Sequence, residues 1–171
     1  MAEGTFVGPS LVLEPLTEKN LPVVLAIRRE DVSEDFVDSP AALWKLTRYG
    51  AEHGCAGQTF AIMLGEACVG VLLLGEAIPW ATDPPEMAQE PFYRLMGFVM
   101  DRRYRNRGLG GQALEKAIQR VYQTFGIRPI ALGVHRDNRD AERFYLRHGF
   151  VKTSAMEGED FYFLRYPAKS L

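Results

Sequence analysis

The sequence predicts an α/β (α+β) domain of seven strands and four helices, in the order β-α-α-β-β-β-α-β-α-β-β. Apolar side chains recur at steps of three, four and five over residues 109–125, which is the period of one buried helical face. A strand-like apolar stretch over 92–100 precedes this helix, and another over 130–134 follows it. The 171 residues, 47% of them hydrophobic, fit one globular domain over 1–171.

The first half of the chain is predicted to form three strands and two helices. These are a strand over 11–16, a helix from 17 to about 29, a helix over 41–52, and strands over 58–64 and 67–75. Pro15 cannot donate a hydrogen bond to a sheet, so the first strand belongs at an edge or an end. Ser39 and Pro40 form an N-cap and first-turn pair for the second helix. The strand over 67–75 is apolar on both faces, which indicates an internal position.

The second half begins with a loop over 79–91, where four prolines predict that no regular structure forms. The later elements are the strand over 92–100, the helix over 109–125, the strand over 130–134, a helix after Asn138, and a closing hairpin of strands over 150–155 and 160–166. We predict the hairpin turn over residues 156–159.

Composition and charge argue against several classes of protein. A net charge of −2 indicates no nucleic-acid partner. Residues 1–10 lack the segments of a signal peptide, and the longest apolar stretch, 69–74, is too short to span a bilayer. We therefore expect a cytoplasmic protein without a membrane partner. Cys55 and Cys68 have no paired spacing and the three histidines are isolated, so neither a disulfide nor a metal site is expected.

Residues 105–111 predict an anion-binding turn. A helix that opens on glycines straight after a strand presents unpaired N–H groups and a partial charge of about +0.5. Gly108, Gly110 and Gly111 would let a phosphate reach those amides, and Arg105 and Arg107 add formal positive charge. The alternative is a glycine-rich turn with solvated arginines and no ligand.

Two other phosphate-binding signatures fit the sequence poorly. Gly108, Gly110 and Ala113 match a loose dinucleotide fingerprint, but too few residues follow for the repeated strand-helix-strand units of that fold. Gly65 and Gly70 have the glycine spacing of a P-loop, but residues 71–72 are Val-Leu where lysine and a hydroxyl residue are required.

Another signature fits better. The stretch RNRGLG at 105–110 resembles the pyrophosphate loop of the GCN5-related N-acetyltransferase (GNAT) superfamily. The stretch NRDAERFY at 138–145, followed by Gly149-Phe150, resembles the Asn-helix-Tyr segment of the same superfamily. The two stretches occur in the right order with a helix and a strand between them. The resemblance implies a mixed, mostly antiparallel sheet with helices on both faces, two of whose strands splay apart.

The resemblance further implies transfer of the acetyl group of acetyl-CoA directly to an amine, with no metal. The residues that it implies for acetyl-CoA binding are Phe98, Val99 and Met100 at pantetheine, Asn138 on the pantetheine chain, and Arg105, Asn106, Arg107, Gly108, Gly110 and Gly111 at the pyrophosphate. Tyr145 matches the tyrosine that donates a proton or a hydrogen bond to the sulfur, so it counts as both catalytic and acetyl-CoA-binding.

The general base is less clear from the sequence. Some relatives carry a glutamate on the strand before the phosphate loop, but residues 92–97 contain no carboxylate. Glu90 is our preferred candidate by position, with Glu86 and Glu76 as the next nearest acids. Tyr93 is a further option, as an anchor for a water molecule.

The acceptor is predicted from an acidic stretch over 30–38. Residues 34–40 and 98–104 resemble segments of bacterial spermine/spermidine (diamine) acetyltransferases. Glu34, Asp35 and Asp38 are the predicted substrate-binding residues for a polyamine or another small cationic amine. An aminoglycoside, a protein N-terminus, a non-catalytic CoA-binding regulatory domain and a solvated loop are the alternatives. The sequence leaves a homodimer open.

Overall fold

The computed structural model describes residues 10–33 and 35–168. Its sheet has seven strands in the order β1-β2-β3-β4-β5-β7-β6. The strands are β1 (Leu11–Pro15), β2 (Gly57–Leu64), β3 (Ala67–Glu76), β4 (Tyr93–Met100), β5 (Ile130–His135), β6 (Val151–Glu157) and β7 (Asp160–Arg165). Neighbouring strands are antiparallel, except that β4 and β5 are parallel. The predicted mixed sheet is confirmed, with β1 at an edge and β3 internal.

Within the described residues, two α-helices lie on each face of the sheet. They are α1 (Leu21–Leu25), α2 (Pro40–His53), α3 (Leu109–Phe125) and α4 (Arg139–Arg147). On one face, α1 and α2 bury Val24 and Leu43 against the sheet. On the other, α3 buries an apolar stripe that includes Leu114 and Ile118, and α4 packs beside it. Each such side chain stabilises the fold by about 1.5–3 kcal/mol on burial.

Helix α1 ends four residues earlier than the predicted boundary near residue 29. The backbone of Arg28 bonds to a distant segment, because its amide donates to Asp101 Oδ2 at 3.0 Å and its carbonyl accepts from the amide of Arg102 at 2.8 Å. Helix α2 begins as predicted, with the Ser39 side chain accepting a hydrogen bond from the amide of Ala42.

Two local predictions are wrong in detail. A short 3-10 helix, Pro85–Ala88, forms in the loop that was predicted to have no regular structure. The closing hairpin turns over Gly158 and Glu159 alone, because Glu157 and Asp160 are paired across β6 and β7. Gly158 has φ +56°, in the left-handed region that tight hairpin turns require. None of the helices in the described ranges is long and apolar enough to cross a lipid bilayer.

Candidate active site

A cleft opens where β4 and β5 diverge. The two strands pair only at Tyr93 with Ile130 and at Arg94 with Ala131. Beyond these pairs they enclose a cleft of about 2340 Å³, whose walls are the second half of each strand and the first turns of α3 and α4. The divergence implied by the family resemblance is therefore present. It leaves one edge of β4 without a partner strand over the remainder of its length, within the described ranges.

A bulge at Gly97 bends β4 at the cleft. The register between β3 and β4 shifts between the pairs Val71–Val99 and Leu73–Met96, so β4 has one more residue than β3 there. Gly97 has φ +62°, and a β-carbon on it would lie 2.5 Å from the Leu43 side chain of α2. Only glycine satisfies both constraints.

The first turn of α3 is an unpartnered row of backbone donors. Gly108, with φ +74°, is the N-cap and supplies no side chain to cap the helix. Gln112 donates the first intrahelical bond, to the carbonyl of Gly108. Within the described ranges, no group accepts a hydrogen bond from the amides of residues 105–111. These donors and the helix dipole together suit a pyrophosphate.

The glycines of this turn have different neighbours. A β-carbon on Gly110 would lie 3.6 Å from the Phe144 ring and 3.7 Å from Met100 Cγ, which is ordinary contact. A β-carbon on Gly111 would lie 2.7 Å from the His148 ring, so that ring would have to move. Gly110 is therefore not constrained by the protein's own packing, whereas Gly111 leaves room for the His148 ring.

Arg105 lies beneath the turn, and most of the N–H donors of its side chain bind other groups of the protein. Its Nε donates to the carbonyl of Met100 at 3.0 Å, and its Nη1 pairs with Asp31. Its Nη2 is buried without a hydrogen-bond partner in the described part of the chain. Arg107, in contrast, is exposed and does not line the cleft.

The acidic stretch is divided between two places. Glu30 and Asp31 pair with Arg102 and Arg105 beside the phosphate turn. Asp35 and Asp38 line the other end of the cleft. Glu34 lies outside the described residues. The interpretation that all these acids face the acceptor as one group is therefore wrong for Glu30 and Asp31.

A buried carboxylate ties this stretch to the phosphate turn. Asp101 is fully buried and accepts hydrogen bonds from the amides of Arg28 and Arg103 and from the Arg103 guanidinium. The Arg103 hydrogen bonds, opposed by burial, hold the pKa of Asp101 far below its usual value. The Arg29 guanidinium further binds the carbonyls of Val37 and Asp38 at 2.8 Å, which fixes the loop that carries Asp38.

Asn138 and Tyr145 reach the cleft from α4. The Asn138 side chain accepts a hydrogen bond from the amide of Ala141 at 3.3 Å and so caps the helix. Tyr145 packs edge-on against Phe144 and Phe150, with ring centroids 5.1 and 5.3 Å away. Its hydroxyl has no hydrogen-bond partner within residues 10–33 and 35–168. Burial raises the pKa of Tyr145 well above its usual value near 10, so the phenol keeps its proton.

The structure brings the predicted acetyl-CoA residues together and separates the predicted base from them. Of those residues, all but Arg107 line the one cleft, and so do Asp35 and Asp38. Glu90 does not. It is exposed and precedes the other end of β4. Burial raises the pKa of Tyr166, and the charges of Glu86 and Glu90 raise it further, which places Glu90 near Tyr166. A carboxylate there is remote from the opening between the strands, so we do not retain Glu90 as the base.

The sequence reasoning missed the floor of the acceptor end. Gly133 of β5 faces Tyr162 of β7, and His135 faces Asp160. These four residues share one face of the sheet and line the cleft. Phe36 packs on His135, with ring centroids 4.7 Å apart. The only signal in the sequence was the acidic run Glu157-Gly158-Glu159-Asp160, which was predicted as part of a hairpin turn over 156–159 and the start of the strand that follows.

A buried ion pair forms the adjoining wall. The Arg94 side chain, only 5% exposed, pairs with Asp83 at 3.1 Å, and its guanidinium lies 3.6 Å from the centre of the Trp80 ring. Tyr162 donates to Asp83 at 2.8 Å. Burial acts to raise the pKa of Asp83, but hydrogen bonds from Arg94, Trp80 and Tyr162 outweigh it and lower the pKa. Both side chains are therefore charged, and the pair carries no net charge.

Comparison with known proteins identifies the class. A sequence profile of the acetyltransferase (GNAT) family matches residues 23–150. The chain belongs to that family and is an acetyl-CoA-dependent N-acetyltransferase. This sets aside the non-catalytic alternative. A search of curated protein sequences finds no match.

Solved structures share the fold at low sequence identity. The PaiA N-acetyltransferase of Thermoplasma acidophilum, solved with coenzyme A, has a TM-score of 0.68 and 17% identity, covering 92% of this chain and 99% of its own. A spermidine N-acetyltransferase SpeG chimera from Vibrio cholerae and hSSAT has a TM-score of 0.64 and 14% identity, covering 91% and 94%. Ard1 from Thermoplasma volcanium has a TM-score of 0.65 and 18% identity, covering 93% and 99%.

Proposed function

We propose that the protein acetylates a primary amine of a small cationic acceptor, with a polyamine as the preferred substrate. One observation carries this proposal. Two separate segments, the loop after α1 and the β6–β7 hairpin, direct Asp35, Asp38, Glu157 and Asp160 to one end of the cleft. None of these four carboxylates forms an ion pair within the described ranges. Their uncompensated charge favours a substrate with several positive charges.

Acetyl-CoA would occupy the other end of the cleft. The free amides of residues 105–111 are suited to its pyrophosphate, and the unpaired edge of β4 at Phe98, Val99 and Met100 is suited to hydrogen bonding with the amides of pantetheine. The Asn138 side-chain NH₂ has no partner in the described part of the chain, which leaves it free for the same arm. This arrangement brings the thioester between the two strands, beside Tyr145.

Tyr145 would stabilise the leaving group. The thiolate that leaves carries negative charge, and a hydroxyl without a protein partner is available to donate a hydrogen bond to it. A phenol with a raised pKa holds its proton more tightly than a thiol with a pKa near 8.5, so it donates a hydrogen bond and does not transfer the proton outright.

A turnover screen tests the acceptor class. Purified protein is incubated with acetyl-CoA and a panel of polyamines, aminoglycosides, amino acids and peptides, and free thiol is followed. We expect the highest kcat/KM with spermidine or a related polyamine. Highest turnover with a peptide or an aminoglycoside would contradict the polyamine proposal and leave the family assignment intact.

A further inference from the structure

Acetyl transfer to an alkylamine requires a proton acceptor. An ammonium with a pKa near 10 is neutral in only about one molecule in a thousand at pH 7. The group that takes the proton must reach the acceptor nitrogen, directly or through one water. The carboxylates that line the cleft are therefore the first candidates.

Half of the eight carboxylates that line the cleft are already engaged with cations. Asp31 pairs with Arg105, Asp140 with Arg143, Glu115 with Arg165 and Glu159 with Arg136. Asp83 does not line the cleft and is held by Arg94 and Tyr162. A carboxylate paired with a guanidinium has a lowered affinity for protons and is a poor base.

Four carboxylates that line the cleft remain without an ion pair in the described ranges, and one of them differs from the others. Asp35, Asp38 and Glu157 are exposed, whereas Asp160 is partly buried. Asp160 lies across the strand pair from His135, and a β-carbon on the neighbouring Gly133 would lie 3.3 Å from Asp160 Oδ2. Because Gly133 has no side chain, the carboxylate can lie over the floor of the cleft.

We propose that Asp160 is the catalytic base that removes the proton from the acceptor ammonium. The inference deepens the proposed function and rests on an amine acceptor, but not on the acceptor being a polyamine. The Asp160 carboxylate takes one proton from nitrogen, the neutral amine attacks the thioester carbon, the C–N bond forms, and the C–S bond breaks with its electron pair going to sulfur. Nitrogen loses a second proton on collapse. One of the two protons ends on sulfur and the other in solvent.

The surroundings of Asp160 favour proton uptake. Burial raises the pKa of Asp160, and the negative charges of Glu157, Asp38 and Glu159 raise it further. His135 opposes them when it is protonated. The His135 Nδ1 accepts a hydrogen bond from the amide of Asp137 at 3.1 Å, so the neutral ring carries its proton on Nε2. Arg136 compensates Glu159.

The first test separates a base from a residue that only attracts cations. The probes are ethylamine and 2,2,2-trifluoroethylamine, which have nearly the same shape, but only the first is an ammonium ion at pH 7. We expect Asp160→Asn to lower kcat for ethylamine by about 10²-fold or more and to affect the fluorinated amine much less. Glu66→Gln, at an exposed turn outside the cleft, is the matched control for loss of one charge and should leave both rates unchanged.

Other outcomes would overturn the proposal. Equal losses of kcat for the two amines would indicate a structural effect of the substitution, because neither proton removal nor attraction of a cation applies to the neutral amine. A raised KM with unchanged kcat and an unchanged acidic limb of the pH profile would make Asp160 a substrate-binding charge only. A thermal shift with acetyl-CoA equal to that of the parent shows that the variant is folded. Asp160→Glu should recover part of the lost kcat, because it retains a carboxylate.

A second measurement needs no acceptor and so separates this inference from the proposed function. The Asp160 carboxyl is titrated by ¹³C NMR in labelled protein with CoA bound, with Asp160→Asn used for assignment. We expect a midpoint above the usual value of about 3.9. A midpoint at or below that value would overturn the proposal, even if the protein proved to acetylate polyamines. A raised midpoint in a protein that acetylates only peptides would support it and contradict the polyamine acceptor alone.

Discussion

The carboxylate of Asp101 accepts a hydrogen bond at 3.0 Å from the backbone amide of Arg28, 73 residues earlier in the chain. Asp101 directly follows β4 and precedes the phosphate turn, and Arg28 lies in the loop that carries Asp35 and Asp38. The two ends of the cleft are therefore linked through one buried carboxylate. Arg102 and Arg105 reinforce the link by pairing with Glu30 and Asp31.

Loss of this carboxylate should destabilise the fold in a pH-dependent way. Asp101→Asn should lower the free energy of unfolding at pH 7 by about 1.5–3 kcal/mol, the scale of hydrogen bonds to a charged group. The pKa of Asp101 in the folded protein lies below its value near 3.9 in the unfolded chain. The stabilisation by its carboxylate is therefore present above about pH 3.9 and is lost as the pH falls towards the folded pKa.

The measurement is urea unfolding of both proteins at a series of pH values from about 3 to 7. The difference between parent and variant should shrink below about pH 4. A difference that stays constant over this range would show that the charge of Asp101 is not what links the two segments.

Gly110→Val should remove most of the stabilisation that acetyl-CoA gives. A ligand that binds only the folded state adds about 2.7 kcal/mol at a hundredfold excess over Kd. A valine side chain would point between Met100 and Phe144 into the cleft and block the amides. Thermal shifts with acetyl-CoA measure this, with Gly110→Ala as the conservative control. Equal shifts for a well-folded valine variant and the parent would contradict the role of the turn.

Tyr145→Phe should lower kcat more than it weakens acetyl-CoA binding, because negative charge develops on sulfur only as the thiolate leaves. Since burial raises the pKa of Tyr145, the parent should not lose activity between pH 7 and about 10 through ionisation of this phenol. Tyr122→Phe removes a hydroxyl that binds the carbonyl of Arg128 outside the cleft, and is the matched control. An unchanged kcat, with chemistry limiting turnover, would make Tyr145 a packing residue.

Asp35→Asn with Asp38→Asn should raise KM for spermidine and leave acetyl-CoA affinity unchanged. Both carboxylates are exposed, and each exposed charge is worth only about 0–1 kcal/mol, so we expect a several-fold change. The control is Glu18→Gln with Glu66→Gln, which removes two exposed charges away from the acceptor end. The same KM for spermidine in steady-state kinetics of all three proteins would show that the acidic loop is a solvated segment that does not bind substrate.

Local patterns in the sequence were sufficient to predict most of the fold and the acetyl-CoA end of the cleft. The period of residues 109–125 and the glycines before it specify a helix and its exposed first turn without reference to distant residues. The Ser39 cap acts over three residues and was predicted for the same reason.

The acceptor end depends on long-range pairing that no local pattern encodes. The predicted turn over 156–159 would leave Glu157 in a loop, whereas the observed register makes Glu157 the cross-strand partner of Asp160. Glu90 was preferred because it is near β4 in sequence, but it precedes the end of β4 where the strands are still paired. The early end of α1 depends on Asp101, which is equally remote in sequence.

The salt dependence of kcat/KM tests most directly whether the acidic end of the cleft selects a polycation. Exposed charges are screened within about 8 Å at physiological ionic strength, so an acceptor held by several of them should lose affinity as salt is added. We predict that kcat/KM for spermidine falls more steeply with added NaCl than kcat/KM for butylamine, and that the two slopes converge in the Asp35→Asn, Asp38→Asn variant. Equal slopes for the two amines in the parent protein, or no acetylation of spermidine at all, would contradict the account.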